Sequence, residues 1–167
     1  MKRYHLIIFA SALLLFSACI GKKKQQTREE QIAEFRSELT AEDTTAMLKL
    51  ADDAMEQLKA KKIDQVIASL YEYDDSTKEA KPVTEETAKR YHKIFSIYPV
   101  IDYTRVYYSF MLEGCNDVKY EVTFATAEQL GTDKPATTMY MFNPIKLDGV
   151  WKLCVKTPLD QVDTTRN

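Results

Sequence analysis

Apolar and polar positions along the chain change period three times. From Leu6 to Ala18 the chain runs apolar but for Ser11 and Ser17, thirteen residues behind a short basic start at Lys2 and Arg3. A helix that spans a bilayer needs roughly 20 apolar residues, whereas the middle of an export signal runs about 7–15. The next stretch, "IGKKKQQTREEQIAEFRSEL" (Ile20 to Leu39), has almost no apolar periodicity. It reads as a flexible tether, partly helical after Thr27, able to reach roughly 65 Å if extended at ~3.3 Å per residue. Helical spacing then begins. "TAED" (Thr40 to Asp43) has the form of a capping box, and Met47, Leu50, Ala51, Ala54, Met55 and Leu58 recur on one helical face. Ile63, Val66, Ile67, Leu70 and Tyr71 form a second, shorter amphipathic segment, and "YDDSTKEAKP" (Tyr73 to Pro82) reads as loop. A third helix starts at the Thr84 cap with Glu85 and Glu86 in its first turn, where the helix dipole favours acids. Val83 and Ala88 have staple spacing, and Pro99 forces Tyr98 out of helical conformation.

Beyond Asp102 the period shortens to two. Thr104, Val106, Tyr108, Phe110 and Leu112 alternate with Tyr103, Arg105, Tyr107, Ser109 and Met111. After the turn "EGCND", Val118, Tyr120, Val122 and Phe124 alternate with Lys119, Glu121 and Thr123. "ATTMYMFNPIKL" is a third strand, with Pro144 restricting it to an edge or a bulge. "DG" at Asp148-Gly149 is a strong hairpin signal leading into "VWKLCVK". Helices first and an antiparallel meander afterwards is the α+β pattern. The expectation is one α+β domain over residues 40–157, its helices packed on a curved, cone-like, four-stranded antiparallel meander, with a polar tail at 158–167.

The junction at Ser17-Ala18-Cys19 changes the reading of the first segment. "LFSAC" resembles a bacterial lipobox, in which an apolar residue and small residues precede a cysteine that becomes lipidated after cleavage. The resemblance implies a signal peptide at 1–18, lipidation at Cys19, and a tether at 19–39 holding the domain to a membrane. A single acyl chain binds a bilayer only marginally, so the multiple acylation of that family is what makes an anchor stable. Ile20, rather than aspartate, follows Cys19, which in the Gram-negative sorting pattern favours the outer membrane. Lys22 to Lys24 either solvate the tether or add attraction to an anionic leaflet.

Composition then narrows the partners. Losing residues 1–18 removes Lys2 and Arg3 and no acid, so 23 basic residues become 21 against 25 acidic, a net of −4. A nucleic-acid partner would call for a clustered excess of base, and none is expected. The 45% hydrophobic fraction is enough for a packed core. Of the three cysteines, Cys115 and Cys154 remain after lipidation. They are read as two separate buried or half-buried thiols, with a disulfide as the alternative, because Cys154 lies in a strand and Cys115 beside a turn.

Two helices, a third helix and long aromatic strands ending in "DGVWKL" resemble the nuclear transport factor 2-like, or cystatin-like, superfamily. Gly149, Val150 and Trp151 match its glycine-tryptophan hairpin with one extra residue between. The resemblance covers roughly Thr44 to Thr157. Its members include isomerases, dehydratases, adaptors and immunity proteins, so it implies a fold and leaves the function open.

Reactive chemistry is thinly represented. Gly21, Gly114, Gly131 and Gly149 form no phosphate-cradling cluster, His92 is the lone histidine after residue 18, and no metal or cofactor is expected. His92 reads as a solvated helix-face residue, and Asp74-Asp75 as a solvated acidic loop. The residues of most interest are Tyr103, Tyr107, Tyr108, Tyr120 and Tyr140, candidates for an aromatic ligand-binding pocket or protein-contact face. A tyrosine beside a carboxylic acid also stabilises enolates in ketosteroid isomerases. Asp102 and Tyr103, however, are adjacent on a strand and face opposite sides. The leading expectation is a lipid-anchored envelope protein with a non-enzymatic small-ligand-binding or protein-interaction domain. It would be dimeric through its open sheet face or bound to an envelope partner. The alternative is a ketosteroid-isomerase-like isomerase or dehydratase acting on a small apolar substrate.

Overall fold

The computed structural model describes residues 26–74, 77, 79–112 and 114–155. The expected signal peptide at 1–18, Cys19, Lys22 to Lys24 and the expected polar tail at 158–167 lie outside the described residues. Within them the order is α1 (Arg28–Glu38), α2 (Ala41–Lys59), α3 (Ile63–Ser69), β1 (Leu70–Asp74), β2 (Glu79–Pro82), α4 (Glu85–Ile97), β3 (Asp102–Phe110), β4 (Asn116–Ala125), α5 (Ala127–Leu130), β5 (Ala136–Leu147) and β6 (Val150–Val155). The fold is α+β, as the segregated periods indicate, with helices over one face of a mixed sheet in the order β2-β1-β6-β5-β4-β3.

Local chemistry sets the helix ends. Thr40 accepts from the Asp43 backbone N–H while the Asp43 carboxylate accepts from the Thr40 N–H, so the capping box forms. Thr84 caps α4 by accepting from the Thr87 N–H, and Tyr98 leaves helical geometry one residue before Pro99. Met47, Ala51, Ala54, Met55 and Leu58 of α2 are buried. They meet Val118, Tyr120 and Val122 of β4, Tyr140 and Phe142 of β5, and Leu153 and Val155 of β6 in one core. Asp148 and Gly149 both take positive φ, 49° and 77°, which lets a two-residue turn join β5 to β6.

Three expectations need correction. The sheet has six strands rather than four, because "LYEYD" and "EAKP" pair as an antiparallel hairpin and β1 runs parallel to β6. The acids and lysines of that stretch imitate a loop. Glu72 nonetheless faces inward and is buried, its carboxylate accepting from the Thr84 N–H, the Thr84 hydroxyl and the Thr87 hydroxyl at 3.4, 3.2 and 2.8 Å. Burial alone would raise its pKa, but these bonds and Lys81 outweigh it and hold the carboxyl below its ordinary range. Second, the stretch after Thr27 is helical, as its sequence suggests, but it packs against the domain. A capping box between Thr27 and Glu30 starts α1, Phe35 and Leu39 pack against the core, and the Arg36 side chain donates to the Phe110 carbonyl at 3.2 Å. Third, the alternation in β3 is broken by a bulge between Arg105 and Tyr107. Tyr103 and Arg105 pair opposite the inward Val122 and Tyr120, and after the extra residue Val106 the inward positions are Tyr108 and Phe110.

Cys115 and Cys154 are free thiols. Register explains why: Asp117 precedes Val118, which pairs with Phe142, while Cys154 pairs with Asn143, so β5 lies between the two cysteines. Two strand spacings are about 9.6 Å, beyond the ~7 Å over which a disulfide closes. Burial pushes the Cys154 thiol up to about 12, which leaves it protonated and unreactive.

Candidate functional site

The five tyrosines divide into two groups. Tyr120 and Tyr140 are buried on the helix-covered face, Tyr103 is half-buried beside them, and Tyr107 and Tyr108 are each 51% exposed on the edge strand. The inward three are already engaged. The Tyr120 hydroxyl donates to Asp52 Oδ1 at 2.7 Å, the Tyr103 hydroxyl to Glu56 at 2.6 Å, and the Tyr140 hydroxyl to the Tyr98 carbonyl at 2.5 Å. Burial first, and then the neighbouring carboxylates at Glu56 and Asp52, push Tyr103 and Tyr120 far above the ordinary phenol range, and burial does the same to Tyr140. Arg105 Nη1 donates to both oxygens of Asp52, at 3.1 and 2.8 Å. Asp102 turns away to Lys59, 3.0 Å distant. Enolate chemistry needs a chamber beside a tyrosine and an acid. Here that space holds Met47, Met55, Tyr120 and Phe142, all at most 1% exposed. The other two polar candidates stay on the surface: His92 faces Asp64 at 3.6 Å, and Asp74 accepts from the Thr77 N–H.

An opening lies elsewhere, at the end of α2 that faces α1. It is a cleft of about 190 Å³. One wall is the C-terminal part of α1, with Phe35, Glu38 and Leu39. The opposite wall is formed by Lys146 of β5 and Trp151 of β6, with Asp43 of α2 and Asn116 of β4 between them. None of the five tyrosines lines it.

Each wall has a local cause. Asp43 is the N3 residue of the α2 capping box, which fixes its position. Its Oδ2 accepts from the Thr40 N–H and hydroxyl at 3.2 and 3.0 Å. Its Oδ1 accepts from Lys146 Nζ at 2.9 Å and from the Trp151 indole Nε1–H at 2.8 Å. The β5–β6 hairpin pairs Lys146 with Trp151, so the ammonium lies over the indole, 5.4 Å from the ring centroid. Asn116 is fully buried and closes the floor, accepting from the Met111 N–H and donating to the Pro144 carbonyl. The bonds from Lys146, and next from Trp151, hold the Asp43 carboxyl far below the usual carboxylate range.

The sequence contained parts of this site under other descriptions. Asp43 is legible as a capping acid and Trp151 as a hairpin marker. Nothing local joins two residues 108 positions apart. The arrangement combines apolar surface from Phe35, Leu39 and Trp151 with two carboxylates and one ammonium. Among the described residues no cluster of three or more His, Cys, Asp or Glu is placed to hold a metal ion.

No family profile matches the chain, and no curated protein does. Two solved structures are similar to it. A protein of unknown function with a cystatin-like fold from Nostoc punctiforme is 14% identical over 72% of this chain and 95% of its own, with a TM-score of 0.44. A protein from Campylobacter jejuni described as an NTF2-like transpeptidase is 13% identical over 65% of this chain and 96% of its own, with a TM-score of 0.39. Neither likeness says what this chain binds.

Proposed function

We propose that this is a lipid-anchored envelope protein, held in the outer membrane through lipidated Cys19, whose domain works without catalysis as a protein-interaction module. The cleft beside Trp151 is its contact point. The observation that carries this reading is the contrast between a filled interior and an open, amphipathic cleft. At about 190 Å³ the cleft is smaller than the ~300–1,000 Å³ of ordinary small-molecule sites, and it suits one side chain of a partner protein. The placement of the cleft is consistent with the anchor. Its α1 wall is the helix reached first from the tether, so a partner in the same envelope would meet it near the attachment point.

Two experiments test the two halves. A palmitate analogue should label the wild-type chain in cells and fail to label Cys19→Ala; continued labelling would refute the anchor. A photo-crosslinking residue at position 39 should join the protein to a discrete envelope protein, while the same residue at the distant, exposed position 128 should not. Equal or absent capture at both positions would remove the cleft as a contact site.

A further inference from the structure

The cleft already contains a cation on its aromatic wall, and that cation belongs to the protein. Lys146 is held by a single carboxylate oxygen, Asp43 Oδ1, and its side chain is 43% exposed. The other Asp43 oxygen is committed to Thr40, so the seat offers one acceptor and an indole face. A planar guanidinium seeks two parallel acceptors, whereas a compact ammonium is satisfied by one oxygen and a π-face. The cleft's two carboxylates also outnumber its one ammonium. Glu38, exposed at the rim, has no ion-pair partner among the described residues. Anions are disfavoured, because the cleft's carboxylates outnumber its ammonium and the Thr40 and Asp43 N–H groups are taken up by the capping box.

From this geometry we infer that the cleft is a lysine-binding site: Lys146 occupies it internally and is displaced by a lysine side chain from a partner protein. This rests on the reading of the cleft as the contact point and names its occupant. The incoming ammonium takes Asp43 Oδ1 and the Trp151 face, and Glu38 supplies a second carboxylate. The methylene stem lies against Phe35 and Leu39, the mode in which long charged side chains bury their stems. The Trp151 indole N–H stays on Asp43 Oδ1 throughout, so the acceptor is already oriented when Lys146 leaves. Exchange of one ammonium for another is nearly balanced. Affinity therefore comes from the stem and from Glu38, and Lys146 reduces it by the fraction of time it holds the seat.

Trp151 is the protein's one tryptophan, so its emission reports the site directly. The probe is an end-blocked tri-lysine peptide, with its Nε-acetylated form and tri-glutamate as comparators. Tri-lysine should change the emission saturably, and the acetylated peptide should bind at least about tenfold more weakly, a loss of ~1.4 kcal/mol. Lys146→Met should tighten tri-lysine binding about fivefold to tenfold by vacating the seat, and Glu38→Gln should weaken it. Lys146→Met binding no tighter than wild type, or equal binding of the acetylated peptide or of tri-glutamate, would overturn the assignment. Crosslinking at position 39 separates the two levels. A partner captured there but not displaced by tri-lysine refutes the lysine occupant and leaves the contact site standing. Loss of both refutes both.

Discussion

Two carboxylates on α2 each hold an aromatic donor and a cation, yet Asp52 and Asp43 are in opposite situations. Asp52 takes the Tyr120 hydroxyl and both oxygens engage Arg105, over an interior filled by Met55 and Phe142. Asp43 takes the Trp151 indole N–H and one bond from a half-exposed Lys146, beside an open cleft. The ingredients are the same, and what differs is whether the cation can be replaced. An arginine whose Nη1 spans both oxygens of Asp52, opposite a buried tyrosine, has no competitor that fits. A monodentate lysine at a cleft mouth does. The first arrangement ties α2 to the sheet, and the second gives the same helix an exchangeable contact.

The comparison breaks most visibly at the core. Phe142→Ala should cost about 3–5 kcal/mol in urea unfolding, since the space it fills cannot collapse around Tyr120 and Met55. A loss under about 1 kcal/mol would mean that the interior has room of its own. Tyr120→Phe is the next step down. It removes one donor from Asp52 and leaves Arg105 in place, so about 1–2 kcal/mol is expected from the same measurement. The variant should leave tri-lysine binding unchanged. Altered binding would join the two regions that the structure separates.

Acid sharpens the distinction at Asp43. Its carboxyl is depressed in the folded state, so its bonds to Lys146 and Trp151 are intact above the ordinary unfolded value near 4 and are lost only as pH falls through the lower folded value. Trp151 emission should be flat from pH 7 to about 4 and change below that. Asp43→Asn should abolish that acid transition. A transition near neutral pH would place another group at the indole. The smallest effect is expected from Lys146→Met, which removes a surface ion pair and should shift stability by less than about 1 kcal/mol in either direction. A larger loss would make Lys146 a structural tie like Arg105.

Much of the fold was legible because the periods are strong. Five apolar residues of α2 repeat on one face, Asp-Gly marks the last hairpin, and Pro99 ends α4. The missed elements share a cause: their burial depends on partners distant in sequence. β1 carries an inward glutamate that is acceptable only because Thr84 and Thr87 are there to bond it. The helix after Thr27 was expected, but its docking was not, because Phe35 and the C-cap Leu39 are too few apolar contacts to show a stripe. The bulge at Val106 is hidden because Val106, Tyr107 and Tyr108 are all apolar, so shifting the register by one leaves the pattern plausible. The tyrosines were visible as a group, but their division follows from strand order: Tyr120 and Tyr140 lie on the inner strands β4 and β5, and Tyr107 and Tyr108 on the edge strand β3. The cleft was the least legible feature. It is assembled from one capping acid, one hairpin pair and the end of a helix with no apolar stripe.

The most direct test follows both regions in one experiment, the titration of isotope-labelled protein with tri-lysine by NMR. The account predicts that the Trp151 indole N–H and the amides around Glu38, Asp43 and Lys146 shift saturably, while those of Asp52, Arg105 and Tyr120 stay in place. Shifts centred on Asp52 and Tyr120, or an indole signal that does not move, would contradict it.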